Sequence, residues 1–189
     1  MSRDETPPVW YHLLMTTAGT LALLPIFALW CGQLATARIR EWDSNITAWC
    51  SGRSPRMAWR LFSRLGDGWL YAATYLWLRE MDQRPLAGRV AASVFLAWGL
   101  GSALKILVRR KRQNPMRSHR PKILLKLHSW SFPSQHAAVA IAFAVALWPN
   151  PAAAALAVCI CCSRVLIGAH YLGDVLAGIA VGLVAGRLA

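Results

Sequence analysis

Three short segments hold the side chains that could do chemistry on an anion. The first runs Lys105-Ile-Leu-Val-Arg-Arg-Lys-Arg112. Lys105 and Arg112 are seven apart, so on a helix they share a face. The second is Pro133-Ser134-Gln135-His136, placed where an apolar run begins. A serine hydroxyl and free backbone N–H groups at a helix N-terminus make an anion site; the plainer role for Ser134 is to cap the helix. The third is Ser163-Arg164-Val-Leu-Ile-Gly-Ala-His170-Tyr-Leu-Gly-Asp174. Arg164 offers a charged fork that matches phosphate oxygens. His170 and Asp174 are four apart, facing the same way on a helix. A carboxylate on one imidazole nitrogen fixes the tautomer and leaves the other nitrogen free as a nucleophile. The plainer reading of that motif is a structural His–Asp pair, and of the basic cluster a membrane-surface anchor.

Composition says what must position these groups. Of 189 residues, 56% are hydrophobic and only 15% charged, with a net charge of +13. That is too apolar for a disordered chain. With 13 Gly and 5 Cys it is neither collagen-like nor a disulfide scaffold. The charges fall between apolar stretches, and gaps in charge mark six candidate membrane spans, near 13–35, 65–78, 90–108, 137–148, 152–167 and 171–188. Several are shorter than the roughly 20 residues that cross a bilayer. Trp148-Pro149-Asn150-Pro151 splits the fourth span from the fifth and predicts a tight helical hairpin. Alanine and glycine in the span interiors allow close helix packing. The expectation is an all-α fold: a polytopic membrane protein, one domain over 1–189, built as a six-transmembrane-helix bundle. The rival is a soluble bundle with buried helices, which the uniformly apolar spans disfavour.

Spans one, three and five end on one face, where spans two, four and six begin. That face receives 16 of the 21 Lys and Arg residues and leaves Arg3, Arg79, Arg84, Arg89 and Arg187 on the other. All three chemical segments fall on the basic face. The stretch 38–64, with Trp42, Trp49 and Trp59, reads as an interfacial segment framing a lipid entrance. Met1 to Pro8 lacks the basic start of a signal peptide, so the first span is read as retained. Cys159, Cys161 and Cys162 fill packing space in span five, and Cys31 and Cys50 do not define a redox compartment. No Cys/His spacing suggests a metal, and no nucleic-acid motif is present.

In this order the three segments resemble the type 2 phosphatidic acid phosphatase (PAP2) superfamily, whose membrane members have six helices with the motifs on one side. The resemblance covers 105–174. It implies that His170 attacks phosphorus to form a phosphohistidine, that Asp174 orients it, and that His136 protonates the leaving oxygen and then activates water. It implies that Lys105, Arg112, Ser134 and Arg164 hold the phosphoryl oxygens, with no metal and no cofactor. Two positions depart from the family pattern. Gln113 stands where proline is usual, and Gln135 where glycine is frequent. If position 135 needs a positive φ, glutamine is strained there. The Gln135 amide has two destinations: a phosphate oxygen, which would add it to the phosphate-binding set, or a neighbouring loop.

The expected substrate is a membrane lipid with a terminal phosphate or diphosphate: isoprenoid diphosphate, phosphatidic acid or phosphatidylglycerol phosphate. The partners are that lipid and the bilayer, with no nucleic acid. The positive-inside rule puts the basic face in the cytoplasm. The resemblance implies instead a site on the periplasmic or outer side of a bacterial inner membrane. The alternatives are a lipid phosphotransferase using the same phosphohistidine, a haloperoxidase-like oxidase holding vanadate in the same pocket, and a non-catalytic basic membrane bundle.

Overall fold

The computed structural model describes residues 37–53, 56–112 and 130–189. The first candidate span and Gln113 lie outside them. The described residues form seven α-helices: α1 Ala37–Arg53, α2 Arg56–Leu65, α3 Gly68–Glu80, α4 Arg84–Val108, α5 Gln135–Ala146, α6 Pro151–Leu166 and α7 Leu172–Leu188. No strand occurs among them; Lys111 and Trp130 make an isolated antiparallel bridge.

Helices α3 to α7 occupy the charge gaps of spans two to six. Among the described residues one helix, α4, with 25 residues, is long and apolar enough to cross a membrane by itself; α5 and α6 are shorter apolar helices. Helix α4 starts six residues before the predicted span because Pro85 sits in its first turn, where a missing N–H costs nothing. The hairpin forms at 147–150. The Asn150 side chain accepts from the N–H groups of Ala152 (3.0 Å) and Ala153 (3.1 Å), and Pro151 opens α6.

Helix α5 is the centre of the bundle, packed by α4, α6 and α7. Its residues Ala137 to Ala140 and Ala142 to Ala146 are buried. Helix α7 meets it through Gly178, Gly182 and Gly186, one per turn. A Cβ at any of the three would come within 3.0 Å of α5 atoms or of the Ser134 carbonyl just before it. Small residues at this spacing let two helix backbones touch. Gly182→Leu is therefore expected to destabilise the protein by at least about 1–3 kcal/mol, the usual cost of overpacking. A detergent-solution thermal melt checks this; an unchanged melting temperature would show that the interface can open.

The stretch 38–64 is carried by two helices, α1 and α2. On α1 the apolar side chains Trp42, Ile46 and Trp49 are exposed, while Asp43 and Thr47 are buried. Helix α4 likewise exposes Phe95, Trp98 and Leu107. An outward apolar face and an inward polar one suit a bilayer environment.

Candidate functional site

Alternation of helix direction puts four helix ends together. Lys105 is in the last turn of α4, Ser134 and His136 begin α5, Arg164 is in the last turn of α6, and Asp174 is in the first turn of α7. The structure brings these residues to one end of the bundle.

Two local expectations are corrected. Lys105 and Arg112 do not share a helical face. Helix α4 stops at Val108, and Arg109, at φ 50°, turns the chain out of it. The short segment 109–112 then carries Arg112 back over the site, where its Nη1 donates to the Ala169 carbonyl at 3.3 Å. Likewise His170 is not on a helix with Asp174. Helix α6 ends at Leu166, and Gly168 takes φ 69°, a conformation open to glycine. The N–H groups of Ala169 and His170 both return to the Arg164 carbonyl at 3.1 Å, which ties Arg164 to His170. His170 precedes α7, and Asp174 lies inside it.

The His170–Asp174 contact also differs from expectation. His170 Nδ1 lies 2.9 Å from the Ser131 carbonyl and 3.6 Å from Asp174 Oδ2. A carbonyl can only accept, so Nδ1 carries the proton and Nε2 is the free nitrogen. Asp174, fully buried, gives its oxygens elsewhere: to Arg110 Nη1 at 2.8 Å, to the Ser131 hydroxyl, and to the Tyr171 N–H at 3.1 Å. That last bond closes the first turn of α7.

Gln135 is corrected as well. Its amide donates to the Trp98 carbonyl at 2.7 Å and stands 3.4 Å from Ser102 Oγ, both on α4. Gly101 leaves the room it fills. The side chain is thus bonded to α4. The backbone is helical here, and the non-glycine residues with positive φ among the described ones are Asp82 and Arg109. Glutamine at this position is unstrained.

Of the remaining anion-binding candidates, Lys105, Ser134 and Arg164 are buried and Arg112 is half-buried. Lys105 and Arg164 are each 4% exposed, and Ser134 is fully buried. Lys105 Nζ donates to the Trp130 carbonyl at 3.1 Å, and Arg164 Nη1 donates to the Ser63 hydroxyl on α2. Arg112 Nε, Ser134 Oγ and Arg164 Nε are buried with no hydrogen-bond partner among the described residues. Native proteins rarely leave such atoms unsatisfied, and those that remain call for a ligand or a function. Tyr71 Oη and Ser93 Oγ, in the helix-packed interior, share this condition. His136 Nε2 meets Asp67 Oδ1 at 3.2 Å, and a Cβ on neighbouring Gly66 would collide with the His136 ring.

Burial, reinforced by the charges of Arg112, Arg164 and Lys105, holds the His170 imidazole well below its ordinary range. Burial also lowers Arg112, which Asp174 opposes. A depressed imidazole pKa favours the neutral ring. The neutral form of His170 is therefore expected to persist below pH 6.5, the unperturbed value. Titration of ring-labelled histidines by NMR checks this directly, free of the substrate's own ionisation near pH 6. A His170 midpoint at or above 6.5 would contradict it.

Sequence reasoning missed four residues. Asp67 carries a signal: an acidic residue at the edge of an apolar span, where a charge is costly without a partner. Asp43 has the same signal more weakly. Arg110 is hidden in a run of four cations, and Ser131 has no spacing signature. Among the described residues no group of His, Cys, Asp and Glu is arranged to hold a metal ion.

Comparison with known proteins agrees with this arrangement. No curated protein matches the chain. Among solved structures, a transmembrane PAP2-type phosphatidylglycerolphosphate phosphatase from Bacillus subtilis superposes with a TM-score of 0.69. The two are 21% identical, over 89% of this chain and 92% of that one. LpxE of Aquifex aeolicus superposes with a TM-score of 0.62 at 21% identity, over 76% of this chain and 92% of its own. The family model of the PAP2 superfamily matches residues 86–189, more than half of the chain and every helix from α4 onward. With all three motifs inside that match and the fold of the membrane phosphatases around them, the chain belongs to the PAP2 superfamily.

Proposed function

We propose that the protein is an integral membrane lipid phosphatase that removes a terminal phosphate or diphosphate group through a phosphohistidine. The observation that carries this reading is the set of buried, unpartnered donors Arg112 Nε, Ser134 Oγ and Arg164 Nε beside a neutral histidine with one free nitrogen. Phosphoryl transfer needs little covalent help from a protein. It needs positioning and fixed charge around the equatorial oxygens. Arg112, Arg164, Lys105 and the Ser134 hydroxyl supply that charge and those donors. His170 Nε2 attacks phosphorus as the bond to the lipid oxygen breaks. His136, whose Nε2 stands 3.2 Å from Asp67 Oδ1, gives a proton to the leaving oxygen. It then takes one from water, which attacks phosphorus and breaks the P–N bond.

The B. subtilis neighbour is a phosphatidylglycerolphosphate phosphatase, which supports a phospholipid monophosphate as the substrate class here. The outward tryptophans of α1 support a lipid-facing rim beside the site. The site is proposed to lie on the periplasmic or outer side of the bacterial inner membrane.

The test is phosphate release by detergent-purified protein from phosphatidic acid, phosphatidylglycerol phosphate and undecaprenyl diphosphate, each with and without a chelator. Release that survives the chelator supports the reading. No release from any of the three would overturn it, and label passing from one lipid to another would establish a phosphotransferase instead.

A further inference from the structure

We infer that Ser131 and Arg110 are positioning residues of this reaction, and that Asp174 acts on His170 through them. The inference rests on the phosphohistidine reading and deepens it. Ser131 is fully buried, and each of its polar groups is committed. Its N–H donates to the Arg110 carbonyl at 2.6 Å, its hydroxyl donates to Asp174 Oδ2, and its carbonyl accepts from His170 Nδ1 at 2.9 Å. The last bond fixes which imidazole nitrogen is free. Asp174, 3.6 Å from that ring nitrogen, does not make this bond. It holds the residue that does.

Arg110 closes the other side of the link. Its Nη1 meets Asp174 Oδ1 at 2.8 Å and its Nη2 meets Asp43 Oδ2 at 2.9 Å. Its guanidinium lies 3.9 Å over the Tyr171 ring, next to the nucleophile. Two buried carboxylates thus share one guanidinium, whose side chain is only 11% exposed. Asp43 carries the tie into α1, where its Oδ1 also accepts from the Gly173 N–H at 3.0 Å and Thr47 Oγ1 accepts from the Leu172 N–H at 3.2 Å. The helix with the outward tryptophans is in this way fastened to the first turn of α7.

Ser131 and Arg110 differ in role from Arg112 and Arg164. The side chain of Arg110 is occupied by two carboxylates, and Ser131 has no polar group left over. Neither is available to hold a phosphate. Their loss should act on the rate of the bound complex rather than on binding. The charged groups facing His170 are Lys105 at the end of α4, Arg112 beside Arg110, His136 on α5, Arg164 on α6 and Asp174 on α7. Removing the Arg110 charge leaves Asp174 uncompensated near the imidazole. That favours its protonation, so the acid limb of the rate profile should move to higher pH.

The experiment uses the full-length protein in detergent, with dioctanoyl phosphatidic acid as probe and thermal melts to verify folding. Ser131→Ala and Arg110→Gln are expected to lower kcat about 10- to 100-fold with KM changed by less than about twofold, the scale of a misplaced reacting group. Arg110→Lys should restore part of the rate, and the acid limb should rise in pH in Arg110→Gln. If Arg110→Gln fails to fold, Ser131→Ala, which deletes one oxygen, decides alone. Folded variants that keep the parent kcat and acid limb, or that raise KM alone, would overturn the inference while His170→Ala remains inactive. A parent that releases no phosphate, or a His170→Ala variant as active as the parent, would instead remove the phosphohistidine reading beneath it.

Discussion

His170→Ala is expected to reduce phosphate release by roughly 10⁴-fold or more, the scale seen when a covalent nucleophile is removed. The magnitude follows from the geometry. His170 has one nitrogen bound to a carbonyl and the other free, in a site where burial and three cations keep it neutral. The other histidine among the described residues, His136, has its Nε2 against Asp67 Oδ1 at 3.2 Å. Lipid binding should survive, because the phosphate donors are untouched. The expected pattern is a collapse of kcat with the lipid still retained by the variant, read by single-turnover assay and by equilibrium binding. A variant that keeps more than about a hundredth of the parent rate would show that His170 does not attack phosphorus, since even one stabilising group accounts for that much.

Arg164→Ala is expected to lower kcat/KM by about 100- to 1000-fold, the cost of one transition-state donor. Arg164 is nearly fully buried and anchored through Nη1 to Ser63, so its fork is preset. Its Nε is one of the three unpartnered donors, and its carbonyl holds the backbone of His170. The carbonyl survives the substitution, so the loss reports on the guanidinium. Arg164→Lys should recover little, because a point charge cannot reproduce a planar fork. A steady-state comparison of the two variants decides this. Equal and near-parental activity in both would contradict the assignment of Arg164 to the phosphate.

Much of the layout is legible in the sequence, for a physical reason. Charge is expensive in a bilayer, so gaps in charge trace the helices, and five of the six gaps coincide with α3 to α7. Alternating directions then place Lys105, His136, Arg164 and Asp174 at one end without knowledge of any contact. What is not legible is what happens where helices stop. Arg109 and Gly168 break the helical spacing that pairs Lys105 with Arg112 and His170 with Asp174, and the pairing is rebuilt by turns instead. Helix α1 escapes notice because its buried positions, Asp43 and Thr47, are polar, and its exposed ones are tryptophan and isoleucine. A search for an apolar buried stripe finds the wrong face. Gln135 reads as a site residue because it sits between two of them, yet the first turn of α5 points it at α4.

A covalent bond between phosphorus and His170 can be trapped during turnover. Protein turning over a lipid labelled in its terminal phosphate would be quenched in alkali, where phosphohistidine survives, then digested and mapped. Label is expected on the peptide containing His170, lost in acid and absent from His170→Ala. Phosphate released at the full rate with no label on the protein would contradict it, and would point to direct attack by water.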